Sequence, residues 1–344
     1  MPETFNPDKP FLSYEKRIDK LIDEYWLVIT DRVFAKKALE KLSYYNLING
    51  YQSCFKNPKT GQYKPDLTIE YLCRFHYFDK DFQHIFLEYC TYIEDMFKNH
   101  VSYVISKDFG VTIDSYLAEE NYLNLYHSHT GRDHSLEKTL KNLRKLTDQK
   151  YMQNPTKYYE LHHNHTPSWI LFKNAKFTDV IDLYSLMKDE QKNQVCNLFF
   201  SDSIADIDLQ KEFLKTSLDL VRRFRNRIAH NLQYFAFRPD NTKYSTKILQ
   251  YISATSPLLS KSEVKKNKRG RNDVYAFMIA ILYLLGSVDL IASFSQKILL
   301  LLAKDTMTAA ELQEQPLFEI YRQITGLPLN LDERLQTILK ICKN

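Results

Sequence analysis

Two thirds of the way along this 344-residue chain, Arg222-Arg223-Phe224-Arg225-Asn226-Arg227-Ile228-Ala229-His230-Asn231 puts four arginines, two amides and a histidine into ten positions. Such a density of polar groups is costly in a core and useful against anions. A guanidinium stays cationic and can hold two phosphate oxygens at once, while an imidazole can take or give a proton near neutral pH. Guanidinium, amide and imidazole on one surface combine anion binding with general acid–base chemistry.

At about 100° per residue, Leu214, Leu218, Val221, Phe224, Ile228 and Leu232 form one apolar stripe, which predicts a helix packed on a core. Arg222, Asn226 and His230 follow each other at four-residue spacing on the opposite face, turned from that core. Arg225 falls at the stripe's edge. To join His230 its side chain must reach round or the helix must distort, and the spacing leaves both open.

The supporting elements read as helices. Seven glycines and eleven prolines leave little room for tight turns. Ser13 and Thr30-Asp31 are N-caps for two helices of an N-terminal arm. Asn57 to Asp66 is a loop by its turn residues. From Leu67 to about Lys107, Phe75, Phe78, Phe82, Phe86, Tyr89 and Ile93 recur at helical spacing, predicting a long core helix broken at most once, near Lys80. Glu94 on that helix has two readings, an exposed partner for Lys98 at i+4 or a carboxylate that orients an arginine of the site. Tyr44, Tyr45 and Tyr51 either pack against the arm or stack on bases. One helix is expected from Trp169 to Leu186, and another from about Asp208 into the arginine-rich stretch.

Residues 110 to 166 read as an insertion holding six of the ten histidines and a basic run with Lys141, Arg144 and Lys145. Its groups His127, His129 and His134, and His162, His163 and His165, lack the Cys pairs or H-E-x-x-H spacing of zinc sites, so no metal and no cofactor are expected. A basic loop carries Lys261, Lys265, Lys266, Lys268, Arg269 and Arg271, six cations in eleven residues suited to phosphates. Five cysteines without a C-x-x-C pair, and an N-terminus with no basic start and apolar run, fit a reduced, cytoplasmic protein. The apolar run from Val274 to Val288 is shorter than the ~18 to 20 residues that span a bilayer, so a buried helix and no membrane are expected. The net charge of +5 points to local basic patches. The chain is therefore read as all-α: a helical arm over 1–66, a helical bundle over 67–238 with the insertion at 110–166, and a basic loop with C-terminal helices over 239–344.

Arg225-Asn226-x-x-Ala229-His230 resembles the R-N-x-x-A-H signature of HEPN ribonucleases, and more narrowly that of the Abi-like (AbiD/AbiF) proteins of bacterial abortive infection. Tyr44-Tyr45-Asn46-Leu47-Ile48-Asn49-Gly50-Tyr51 is similar to the family's Y-Y-x-L-x-G-Y block, with one residue more before the glycine. Phe78-Asp79-Lys80-Asp81-Phe82 with Ile93-Glu94 is similar to its F-D-x-x-L … E helix, and Pro167-Ser168-Trp169 stands at its P-x-W. Ala175 to Asp179 replaces the usual Phe-Gly turn, and no arginine follows the A-H pair before Arg238.

The resemblance implies a HEPN-type bundle and an endoribonuclease that needs no metal. RNA supplies the 2′-hydroxyl nucleophile, leaving proton transfer and phosphorane stabilisation to the protein, with 2′,3′-cyclic phosphate products. It implies catalysis by Arg225, Asn226 and His230 from two chains of a homodimer, with Arg222, Arg223 and Arg227 guiding the RNA backbone. The AbiF branch implies a ribonucleoprotein with a structured non-coding RNA. The alternatives are an RNA-binding scaffold with a dormant site and a free HEPN toxin. A HEPN partner of a nucleotidyltransferase toxin fits less well, given the long arm and the Tyr-Tyr block.

Overall fold

The structure is a computed structural model, and it describes residues 9–124, 135–200, 204–266 and 269–343. Those residues form 17 α-helices and no strand, an all-α assembly. The spine is one helix, Ile69–Phe109, 41 residues long. The side chain of Thr68 caps it, Gly110 ends it at φ 97°, and it passes Lys80 without a break. Phe75, Phe82, Phe86, Ile93, Phe97 and Val101 lie fully buried along it.

The second organising helix, Ile207–Ala229, starts where Asp206 accepts the backbone N–H groups of Asp208 and Leu209. Leu214, Leu218, Val221, Phe224 and Ile228 are buried as the periodicity requires. Leu232 is not: the helix stops at Ala229, and Leu232 lies beyond the turn, 44 % exposed. Helix Val274–Leu284 packs between these two and is buried all round, which explains an apolar run with no polar face. Phe277 joins the three, its ring 4.8 Å from Phe224 and 4.9 Å from Phe86. Among the described residues, no helix is long and apolar enough to cross a membrane.

The expected helix from Trp169 to Leu186 is two, Ser168–Asn174 and Phe177–Leu186, because the chain is extended at Ala175 and Lys176. Lys98 Nζ binds the Ala175 carbonyl at 2.7 Å, holding the break against the spine. Helix Asp189–Phe200, which the sequence reading left out, packs on the spine and on Ile207–Ala229. In the expected insertion, Leu136, Leu140 and Leu143 pack toward Phe177–Leu186, while His127, His129 and His134 lie outside the described residues. A single buried cluster runs from Ile18 to Leu335, so the arm and the C-terminal helices share the core of the bundle.

Candidate functional site

The arginine-rich stretch ends its helix in a way that its own residues dictate. His230 is the C-cap, and Asn231 turns the chain at φ 54°, in the left-handed region that asparagine tolerates better than most residues. Leu232 N–H reaches back to the Arg227 carbonyl at 2.8 Å and Asn231 N–H to that of Ile228 at 3.0 Å, the paired bonds of a Schellman closure. His230 is therefore exposed on the last residue before the reversal. Asn226 links the trio: its Oδ1 accepts from Arg225 at 3.2 Å, and its carbonyl accepts the His230 N–H at 3.1 Å.

Arg225 is held by Glu94, which also makes the expected pair with Lys98, though from a largely buried position and not an exposed one. One oxygen accepts from Lys98 at 2.8 Å and the other from Arg225 at 3.1 Å. The glutamate side chain is only 16 % exposed, so this is a half-sequestered triad of one anion and two cations. Helix Ile207–Ala229 does not distort to bring Arg225 into place; the guanidinium lies along the spine.

Behind His230 lies a buried polar cluster. Lys80 Nζ donates to Asn231 Oδ1 at 3.0 Å and to Gln83 Oε1 at 2.8 Å. Gln83 donates to Asp79 Oδ2 at 2.9 Å, as does the Tyr51 hydroxyl, also at 2.9 Å. Tyr321, from near the C-terminus, reaches the other oxygen of Asp79 at 3.1 Å and bonds Tyr234 of the motif's own tail. Burial pushes the Asp79 carboxyl up to about 6, against hydrogen bonds that pull the other way. His76, 3.0 Å from the Tyr51 hydroxyl, is held down to about 4 by burial and then by Lys80. Of the arm's tyrosines, Tyr51 is core, stacked on Phe235 at 5.4 Å, while Tyr45 is 60 % exposed. Gln233 donates to the Gly50 carbonyl at 2.6 Å, and Arg227 turns back to the Gln233 carbonyl at 2.7 Å and over the Phe237 ring. The aromatic arm block, the Phe78–Phe82 block and the motif tail thus meet at one place. Ser168, of the Pro167-Ser168-Trp169 block, lies apart from that place and binds the far end of the spine through Ser106 Oγ at 2.7 Å and the Ser102 carbonyl at 3.1 Å.

Other expected contacts lie apart from this cluster. Arg222 does not face outward: it is 6 % exposed and paired with Asp219, which also holds Arg223 at 2.7 Å and the Thr242 hydroxyl. Burial alone would raise the Asp219 carboxyl, but the Arg222 guanidinium and these hydrogen bonds outweigh it and hold it below the usual range. Lys261, Lys265 and Lys266 are exposed on a short helix, Lys261–Lys266, where a loop was expected; Ser260 and Glu263 bond across its first turn. Arg269 pairs with Glu263 at 3.4 Å, Arg271 bonds Thr246 at 3.1 Å, and Lys268 lies outside the described residues. Lys141 is exposed, Arg144 pairs with Asp114 at 2.9 Å, and Lys145 sits over the Tyr151 ring. Sequence reading missed Asp79, Lys80, Asn231, Asp219 and Tyr321. Asp79 and Lys80 sat inside a block already singled out, and Asp219 stands three residues before Arg222, the spacing of a helical ion pair; nothing local marks Tyr321.

Among the described residues no three His, Cys, Asp or Glu side chains gather as a metal ion would require. No curated protein and no solved structure gives a significant match to the chain. Residues 37–236 match the family model described as Abi-like protein, a span that takes in the arm block, the Asp79 helix and the Arg225–His230 motif. The chain therefore belongs to the Abi-like family, whose theme is abortive infection.

Proposed function

We propose that this protein acts in antiphage defence in the cytoplasm as an RNA-associated HEPN protein whose Arg225, Asn226 and His230 form a metal-independent endoribonuclease site. The observation that carries the reading is the helix ending itself: an exposed His230 one residue before a chain reversal, one turn after Asn226, whose side chain accepts from an Arg225 guanidinium held by Glu94. His230 would move the proton of the 2′-hydroxyl and Arg225 would stabilise charge on the phosphorane, giving a 2′,3′-cyclic phosphate. Arg222 is spent on Asp219, which favours Arg225 as the catalytic cation. One such set is thin for catalysis, so two chains would pair their motifs in a homodimer. Lys261, Lys265 and Lys266, with Lys141, supply exposed cations for a structured non-coding RNA.

A restrained state of the same site is the second reading, favoured by the Glu94 carboxylate that already occupies Arg225. The test is purification from the native host without nuclease, sequencing of retained RNA, and cleavage assays beside His230→Ala and Arg225→Ala. Cutting should fall about 100-fold or more in either variant with RNA retention little changed. Wild-type protein that retains no RNA, and cuts no RNA that its His230→Ala variant spares, would sink the proposal.

A further inference from the structure

A cavity of about 820 Å³ lies away from His230. It opens between Phe177–Leu186, the start of Asp189–Phe200 and helix Ile207–Ala229 from Asp208 to Arg223, with Asn241, Thr242 and Lys243 at one side. Asp219, with Arg222 and Arg223, lines it. Six Lys or Arg and five Asp or Glu face it, but their pairing is uneven. Asp219 is consumed by Arg222, Arg223 and Thr242. Asp189 and Asp208 reach only Lys211, at 3.4 and 3.7 Å, from positions more than four-fifths exposed. Lys192, Lys215 and Lys243 make no ion pair among the described residues. Burial holds the Lys192 ammonium below its ordinary range, and Lys215 and Lys211 press on it further in spite of Asp189. Lys192, Lys215 and Lys243, crowded on a concave wall and outside any ion pair among the described residues, are an electrostatic seat for a polyanion even with carboxylates on the same lining.

Size and the opposite wall narrow the ligand. A lone phosphate leaves most of this volume unfilled, whereas ligand sites for molecules of nucleotide size run to roughly 300–1,000 Å³ with an apolar side. Ile181, Tyr184 and Leu186 supply that side, and the Ser185 and Thr216 hydroxyls with the Asn241 amide supply polar partners for a sugar. We infer that this cavity binds a nucleoside phosphate, its phosphates on Lys192, Lys215 and Lys243 and its ring against Ile181 and Tyr184. The site is independent of RNA cleavage, although Arg222 and Arg223 on its wall stand on the same helix as Arg225 and His230.

Equilibrium dialysis of the full chain against labelled ATP tests it, with Lys192→Met/Lys215→Met and, separately, Lys243→Glu at an exposed position as the variants that remove the proposed phosphate contacts. ATP should bind saturably to the wild type and at least tenfold more weakly to the double variant, with Lys243→Glu weakened in the same direction. Adenosine and tripolyphosphate should each compete far less well than ATP. A 5′-phosphorylated 2′-O-methyl octanucleotide separates the sources: competition with ATP assigns the seat to an RNA end, and its failure to compete assigns it to a free nucleotide. Absent saturation, equal binding by the lysine variants, or tripolyphosphate competing as well as ATP would each overturn the assignment.

Discussion

Glu94 serves two cations at once, and its worth can be measured by coupling. In a double-mutant cycle of Glu94→Ala with Arg225→Ala, the pair should show about 1 kcal/mol of interaction in urea melts, above what an exposed ion pair gives, because the carboxylate is five-sixths buried. Zero coupling would mean that Lys98 alone holds Glu94. Asp79 and His76 give a signed pH prediction. The Asp79 carboxyl, raised to about 6, favours the native state below about 4, an advantage lost as pH rises through 6. The His76 imidazole, lowered to about 4, favours the native state above about 6.5, an advantage lost as pH falls toward 4. The two offset across the same window, each on the order of 3 kcal/mol. Asp79→Asn should therefore lose stability as pH drops from 6.5 to 4, and His76→Gln should gain it, in denaturant titrations at each pH; parallel slopes for both variants would refute this.

At the scale of elements, what the sequence made legible was whatever is periodic. The stripe from Leu214 to Ile228, the cap at Asp31 and the buried run from Val274 follow from residue types within a few positions of each other. The stop at Ala229 was less legible, since it rests on an asparagine in a left-handed turn, and so was the break at Ala175, which is held by a lysine 77 residues away. The burial of Arg222 could have been read from Asp219 at i−3, but only once the cavity and Thr242 are known. Helix starts make their own prediction. Asp273 caps Val274–Leu284 through Ala276 N–H at 2.8 Å and accepts Gly270 N–H at 3.0 Å. Gly326, at φ 82°, leaves no room for a Cβ beside that carboxylate. Gly326→Ala should cost about 2 kcal/mol or more, whereas Gly61→Ala, at φ 72° with open space around it, should cost about 1 kcal/mol.

For the whole molecule, the contacts that matter most join distant parts of the chain: Arg74 to Glu314, Asp79 to Tyr321, Arg225 to Glu94. Of these only the Glu94 contact has a sequence signal, and no local pattern announces the other two, so residues 239–344 read as a region of their own although their helices share the core in the structure. A fragment ending at residue 238 should be insoluble or lack a cooperative thermal transition, while the full chain should melt as one unit by calorimetry. The bond from Tyr321 to Asp79 and Tyr234 also bears on synthesis. The codons for the motif are translated some ninety positions before the codon for that tyrosine, on the order of 5 to 20 seconds earlier at ordinary elongation rates. A ribosome that stalls, or a message cut, within that interval releases a chain that has the motif and lacks its last anchor.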